Sequence, residues 1–307
     1  MTVRVAIVTD DPGWHGTRLR RAFKARGIDA QYVSLAQCRL DIGSARLPVR
    51  LPGFEAALPD AVFVRGVPGG SLEQVIVRLD VLHALRELGV PVYNDARAIE
   101  RSVDKAMTSF LLRLGGLPTP PTWVTENIAD ARAIVLRETA AGHDVVCKPL
   151  FGSQGKGLVR IRSGDDVPPP ETVNGVWYLQ RYVGAADNSA QWQDWRVLVV
   201  GGQAVAAMKR HGRSWINNVA QGARCEAVEL DEARIRLAID AARAVEMDYA
   251  GVEIIRDQQN RLQVLEVNSI PAWKGLQAVC RVDIAQAMVD DLVDRRMRSD
   301  PSLEAVC

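Results

Sequence analysis

Residues 251–268, GVEIIRDQQNRLQVLEVN, constrain the fold more than any other stretch of the chain. Two apolar runs flank a polar turn, which reads as a hairpin. A four-residue turn from Gln258 to Arg261 pairs Asp257 with Leu262, and the count then sets Glu253 opposite Glu266. Asn268 falls on the same face, two residues on. Cross-strand neighbours lie about 5 Å apart, so two ionised carboxylates there repel by roughly 3 kcal/mol at an effective dielectric near 20. The neighbours GVEII and LQVLEVN are too apolar for a solvated sheet face. A hard divalent cation offsets the repulsion, because Mg²⁺ takes carboxylate and amide oxygens and keeps positions for water and phosphate. One protonated glutamate, or a slipped register with a solvated pair, is the structural alternative.

A second hairpin, DWRVLVVGGQAVAAMKR, turns at Gly201-Gly202. Pairing Val200 with Gln203 sets Asp194 opposite Lys209 and places Arg196 on the same face. Further upstream, VCKPLFGSQGKG joins a strand ending in Lys148 to a loop of three glycines and Lys156. Glycines let backbone N–H groups approach a ligand, and lysines add compact positive charge, a combination suited to phosphate. It is not a Walker loop, because Leu150 stands five before Gly155 and Gly157 follows Lys156; nor is it GxGxxG, because Arg160 takes the last glycine's place. A glycine-rich hairpin turn with a surface lysine is the plainer alternative.

The 307 residues suffice for two or three domains. With 38 Lys+Arg against 37 Asp+Glu, no global field draws in nucleic acid or an anionic membrane, so any anion site is local. Cys38, Cys147, Cys225, Cys280 and Cys307 lack zinc spacing and fit reduced thiols, and the start MTVRVAIVTDD reads as a strand, not a signal peptide. No apolar run approaches the roughly 20 residues of a membrane span, which makes a cytoplasmic protein the expectation. The first ninety or so residues alternate strands with helices as in a parallel α/β layer: VRVAIV is a strand, TDDPGWHG a loop and TRLRRAFKARG a helix stopped by Gly27. Arg65 ends a strand at the edge where such sheets meet ligands, although an exposed strand-end arginine is at least as often just solvated. NDARAIERSVDKAMTSFLLRLGG reads as one helix, and a smaller unit of strands around the glycine loop follows. The closing helix DIAQAMVDDLVDRRM has an apolar stripe that packs either internally or across a dimer.

In order, the pair Asp104-Lys105, KPLFGSQGKG, LQRYV, DWRV, NNVAQGA and LEVNSIPAWKG resemble the ATP-grasp ligases, and within them the RimK-like amino-acid ligases, over roughly residues 92–290. The resemblance implies an α/β (α+β) chain: an ATP-grasp fold preceded by a Rossmann-like domain. Residues 1–93 would be that N-terminal domain, 94–178 a small subdomain with the glycine loop, and 179–307 a large subdomain with the metal and substrate site. It further implies ATP with Mg²⁺, or Mn²⁺ in its place. Lys105 and Lys148 would contact phosphate, and Ser153, Gly155 and Gly157 would cover it with N–H groups. Gln180, Arg181 and Tyr182 would line the adenine pocket, largely through main-chain bonds, and Asp194 would lie near the ribose. Arg210 and Asn217-Asn218 would hold phosphate and the reacting carboxylate, with Glu253, Glu266 and Asn268 as metal ligands; Arg210 and Asn268 are the catalytic candidates. Two departures stand out: Arg181 and Lys209 occupy positions often acidic in the family, which makes the adenine edge and the acceptor pocket more basic. Trp273 and Lys274 replace small residues after Asn268 and point to a substrate other than a ribosomal protein.

The chemistry implied is an amide formed through an acyl phosphate, with ADP released, which needs no nucleophilic triad. The four histidines are scattered, and His211, beside Arg210, reads as a solvated loop residue. The expected partners are an amino acid, foremost L-glutamate, and a small-molecule or peptide carboxylate or amine, without nucleic acid or membrane. A pterin or the amine of a one-carbon carrier is a second acceptor, which Trp14 and Trp273 would stack. An ATP-binding module without chemistry is the non-enzyme alternative.

Overall fold

The computed structural model describes residues 2–43, 47–152, 155–184, 192–218 and 222–297. In the first unit β1 (Arg4–Val8), α1 (Gly13–Ala25) and β2 (Asp29–Val33) are followed by a short ribbon, β3 (Arg39–Leu40) with β4 (Val49–Arg50), and then β5 (Ala61–Val64), α2 (Leu72–Glu87) and β6 (Val92–Tyr93). The strands pair in parallel in the order β2-β1-β5-β6. Ala6, Ile7, Val62 and Phe63 are buried, as a parallel sheet covered on both faces requires. Helix α1 starts at Gly13, directly after Pro12, so residues 13–16 of the expected loop are helical; proline's fixed φ suits a helix entrance.

The second unit opens with α3 (Ala96–Val103) and α4 (Lys105–Leu114). The single helix expected here is broken at Asp104, whose carboxylate accepts hydrogen bonds from Ala106 N (2.8 Å) and Met107 N (3.1 Å) and caps the second helix. That break sets Lys105 on the first residue of α4. There follow β7 (Thr122–Thr125), α5 (Ile128–Ala140), β8 (Val145–Lys148), β9 (Val159–Ile161) and β10 (Trp177–Arg181), an antiparallel sheet in the order β7-β10-β8-β9. Strand β10 carries this sheet to Arg181, beyond the boundary expected at residue 178.

The third unit comprises β11 (Trp192–Val200), β12 (Gln203–Gly212), β13 (Arg224–Ala227), α6 (Glu232–Ala244), β14 (Tyr249–Arg256), β15 (Leu262–Asn268), α7 (Lys274–Gln277) and α8 (Ile284–Asp291). Its antiparallel sheet runs β13-β12-β11-β14-β15. One face buries Val197, Val252 and Val267 against Leu237 and Ala241 of α6. On α8, Ile284, Met288 and Val289 bury into one core with Phe23, Phe63 and Tyr249, so its apolar stripe packs internally. Arg26, the residue that follows α1, fixes the same contact through Asp290 (2.7 Å) and Asp294 (2.6 Å). No helix among the described residues is long and apolar enough to cross a membrane.

Both hairpins depart from simple counting. Gly201 and Gly202, both at positive φ, make the tight turn and pair Val200 with Gln203. An irregularity between Leu198 and Val199 then shifts the register by one, so Asp194 faces Arg210 and Lys209 faces Trp195. In the other hairpin the turn pairs Arg256, not Asp257, with Leu262, and a second irregularity between Glu253 and Ile254 moves the count back. Glu253 therefore does face Glu266.

Fully buried Asn94 joins the first and third units. Its Nδ2 donates to Tyr249 O (2.7 Å) and Ser269 O (2.8 Å), and its Oδ1 accepts from Asp248 N (2.7 Å) and Tyr249 N (3.0 Å). Asn94→Ala leaves four buried backbone groups without partners, and at about 1 kcal/mol or more per stranded group the loss is on the order of 4 kcal/mol. Urea unfolding followed by tryptophan fluorescence should show that loss, whereas Gln263→Ala, at the rim of the third sheet, should cost under about 1 kcal/mol.

Candidate active site

A cleft of about 370 Å³ opens between the second and third sheets. Strand β8 brings Lys148 to it, α4 brings Lys105, β10 brings Gln180 and Arg181, β11 brings Asp194, and β14 and β15 bring Glu253 and Glu266. Gly155, Tyr182, Asn217 and Asn218 also line it. Thus most of the expected site residues, drawn from distant parts of the chain, meet at one cavity. Arg210, Gly157 and Asn268 are not on its wall. Ser153 lies outside the described residues.

The lysines are held differently. Lys105 Nζ donates to Gly152 O (2.7 Å) and Leu150 O (3.4 Å), which ties α4 to the start of the glycine loop. Lys148 Nζ donates to Gln180 Oε1 (2.6 Å), and Gln180 Nε2 in turn donates to Thr122 Oγ1 (3.0 Å) and to the Tyr178 hydroxyl (3.1 Å). Burial lowers the Lys148 ammonium to about 8, with Glu266 opposing and Lys105 adding to the fall. Burial also lowers Lys105, against the pull of Glu266. Both amines are thus poorly solvated cations facing a cavity, a setting in which an incoming anion gains more than it would in water.

Behind the opposite wall, the shift in register puts Arg210, only 2% exposed, against the wall residue Asp194 through two hydrogen bonds of 2.7 and 2.8 Å. Arg210 Nη2 also reaches Glu253 Oε2 (2.9 Å), while Arg196 donates to Glu253 Oε1. Burial works against the Glu253 charge, but Arg210 and then Arg196 outweigh it and hold the carboxyl down to about 2. Burial pushes Asp194 upward against the pull of Arg210. Gly251 lets this network form, because a Cβ there would meet Pro271 Cβ at 2.8 Å and Arg196 Nε at 2.9 Å. Nε and Nη2 of Arg210 are therefore engaged by protein carboxylates.

Glu266 differs. Among the described residues it makes no hydrogen bond or ion pair, and burial and then Glu253 raise its pKa against Lys105, Arg196 and Lys148. It is the free carboxylate of the pair. Among the described residues the Asn268 side-chain oxygen has only a 3.4 Å bond from Ile270 N. Among the described residues no three His, Cys, Asp or Glu side chains gather into a metal cage. The hard oxygens of Glu266, Glu253 and Asn268 instead fit an ion that keeps positions for water and phosphate.

Other expectations need revision. The adenine edge is not more basic, because Arg181 Nε and Nη2 both donate to buried Glu138 (2.9 and 2.7 Å). The N–H groups of Arg181 and Tyr182 are committed to Pro121 O and Asp144 O, so main-chain recognition by those two donors is closed. His211 lies on strand β12, 2.9 Å from Glu226, not in a loop. Trp273 is 1% exposed, with Arg65, His15 and Trp14 packed around it, so it offers no face to an aromatic acceptor. Sequence reasoning missed the Ser109, Thr122 and Tyr178 support of Gln180; Tyr178 lies two residues before Gln180 on β10, and that spacing was the available signal.

Residues 102–292 match the family model of the RimK-like ATP-grasp domain, and residues 3–99 match that of the RimK PreATP-grasp domain. The chain is 31% identical over 300 residues to tetrahydromethanopterin:alpha-L-glutamate ligase of Methanococcus maripaludis, covering 95% of this chain and 98% of that protein. A probable alpha-L-glutamate ligase of Teredinibacter turnerae is 30% identical over 310 residues, covering 96% and 97%. Among solved structures, the ATP-grasp ligase PsnB complexed with minimal precursor matches with a TM-score of 0.72 at 21% identity, covering 95% of this chain and 99% of that one, a likeness of fold.

Arg210→Met leaves Asp194 and Glu253 as buried carboxylates short of their shared cation. Stability should fall by roughly 3–5 kcal/mol, the usual cost of breaking a buried pair from one side. Chemical denaturation at neutral pH measures it; a loss under about 1 kcal/mol would show that the network is not structural.

Proposed function

The chain belongs to the RimK-like ATP-grasp family of carbon–nitrogen ligases, and on that footing we propose that it joins L-glutamate to a carboxylate-bearing acceptor at the cleft between the second and third sheets. The observation that carries this reading is the meeting at one cavity of two desolvated lysines, Gly152 and Gly155 of the glycine loop, and Glu266, which has no partner among the described residues. The two relatives described above, one named an alpha-L-glutamate ligase and one a probable alpha-L-glutamate ligase, align over nearly their whole length and support glutamate as the amino acid.

In this reading Lys105 and Lys148 neutralise nucleotide phosphates, and the loop containing Gly155 folds over them and excludes water. To reach phosphate, Lys105 exchanges its bonds to Leu150 O and Gly152 O for phosphate oxygens, so nucleotide entry also releases the loop's first residues. Gln180 fixes the direction of Lys148. Asn217, whose Oδ1 is buried without a partner among the described residues, orients the reacting groups together with Asn218. The family uses ATP and magnesium, and magnesium when bound withdraws charge from the phosphoryl group in transfer. Glu266 and Asn268 are the groups that would hold it, beside Glu253. Arg210 acts by keeping Glu253 and Asp194 ionised and in place, a positioning role, since it is buried off the cavity wall with Nε and Nη2 engaged by these carboxylates. A carboxylate is a poor electrophile until phosphorylated; the acceptor carboxylate is activated and the glutamate amine displaces phosphate to give the amide. The four described free cysteines accord with a reducing, cytoplasmic setting.

The test is ADP release with ATP, magnesium, L-glutamate and a panel of acceptors that includes pterins bearing a glutamyl or other carboxylate and peptides ending in glutamate. One class should give ADP and a product heavier by one glutamyl residue, and release of no ADP across the panel would refute the reading. Glu266→Gln should lower kcat by about a hundredfold or more while the protein stays folded, because the only charge removed is one the protein leaves unpaired. Lys148→Met should raise the Kd for the ATP analogue AMPPNP at least about tenfold. Calorimetric titration reads the second effect.

A further inference from the structure

A second polar cluster lies away from the cleft, at the C-terminal edge of the parallel sheet. In the order β2-β1-β5-β6 the chain leaves β1 to one side for β2 and later returns on the other side to β5, which makes the space beyond the ends of β1 and β5 the switch point of the sheet. Open α/β sheets receive ligands there. Both loops are anchored at that point: Thr9 N donates to Val33 O, and Arg65 N and Gly66 N both donate to Val8 O.

Arg65 stands at this edge and makes no ion pair among the described residues, although Asp10 and Asp11 follow β1 there. Its guanidinium lies over the Trp273 ring (4.9 Å), its one acceptor is Ile270 O at 3.5 Å, and its Nε is buried with no hydrogen-bond partner among the described residues. The Trp273 indole N–H is likewise buried and unpartnered. Next to it, Lys274 is exposed and makes no ion pair among the described residues. His15 reports the local field: burial first, then Arg65 and Lys274, hold its ring down to about 4, with Asp11 only partly opposing. The ring is therefore neutral, and its Nε2 accepts from Trp273 N at 3.1 Å. A half-buried guanidinium without an ion-pair partner among the described residues is costly unless something binds it, and a planar carboxylate matches its fork.

We propose that the crevice beyond β1 and β5 is a carboxylate-binding subsite, with Arg65 as the bidentate anchor and Lys274 as the second cation, and that it holds a non-reacting carboxylate of the amino-acid substrate. The choice of occupant rests on the glutamate-ligase reading above; the anion site itself rests on Arg65, Trp273 and Lys274. Trp273 is the positioning residue that fixes the guanidinium plane. The segment from Asn268 to Lys274 runs from the metal-ligand candidates to this crevice, so one short stretch of chain links the two sites.

The test reads binding apart from turnover. L-glutamate, and separately glutarate as a plain dicarboxylate, are titrated calorimetrically into the full chain loaded with magnesium and AMPPNP. Arg65→Gln should weaken both ligands at least about tenfold, as expected for loss of a charge-assisted bidentate contact, and leave AMPPNP affinity within about twofold. Arg65→Lys, which keeps the charge but not the fork, should fall in between. Lys274→Gln, at an exposed position that cannot unfold the protein, should weaken both ligands about threefold and decides the matter if Arg65→Gln does not fold. Unchanged glutamate and glutarate affinity in these variants, or no binding of either ligand by the wild-type protein, overturns the subsite. Arg65-dependent binding of L-glutamate without ADP release for any acceptor would instead refute the ligase reading and leave the subsite standing.

Discussion

Glu253 lies between two guanidiniums, Arg196 on the neighbouring strand and Arg210 one strand further, and this pairing lets an acidic residue occupy an apolar sheet. Isolated, a buried carboxylate would take up a proton; held by two arginines it stays charged and fixed in direction. Asp194 is drawn into the same arrangement from the other side of Arg210. The charges alternate in sign along the chain of contacts, so the network is close to neutral within itself. Such networks bring little net stability compared with apolar packing, yet breaking one from one side is expensive.

This arrangement gives the two glutamates of the hairpin different tasks. Glu253 is engaged by protein and sets the wall of the cleft, whereas Glu266, directly across the ladder, has no ion-pair partner among the described residues; burial and Glu253 push its carboxyl upward, and Lys105, Arg196 and Lys148 oppose them from a distance. Repulsion between the pair is therefore reduced by arginines on one member and is available to favour a cation on the other. The lysines facing Glu266 across the cavity are desolvated in the same way. A cavity with two desolvated lysines on one side and, on the other, a carboxyl that lacks an ion-pair partner among the described residues suits a ligand that is itself a cation–polyphosphate pair.

The sequence showed the fold class, the strand–lysine–glycine loop and the facing glutamates, because each depends on local pattern: apolar runs, a turn and side chains alternating with period two. The pairing of Glu253 with Glu266 came out right through two offsetting shifts of one residue, at the turn and at the irregularity beside Glu253. The other hairpin had only one such shift, and there counting chose Lys209 where the fold places Arg210. Irregularities of this kind follow from packing on both faces of a sheet and leave no mark in one strand's sequence. The partners supplied from afar were equally hidden. Glu138, on α5, neutralises Arg181, and nothing near Arg181 in the chain announces it. Trp273 looked like a free aromatic surface, but the first unit docks against the third and covers it with His15, Trp14 and Arg65.

That docking, secured by Asn94 and by α8, also explains why the parallel sheet belongs with the site although it lines none of the cleft: it closes the far end of the segment that follows the metal-ligand candidates. The most direct test of the whole account is the position of a bound ion. Crystals grown with manganese and AMPPNP should give an anomalous difference peak about 2.1 Å from a Glu266 oxygen, on the Glu253 side and next to the phosphates. A peak elsewhere, or nucleotide bound in the cleft with Glu266 touching no ion, would contradict it.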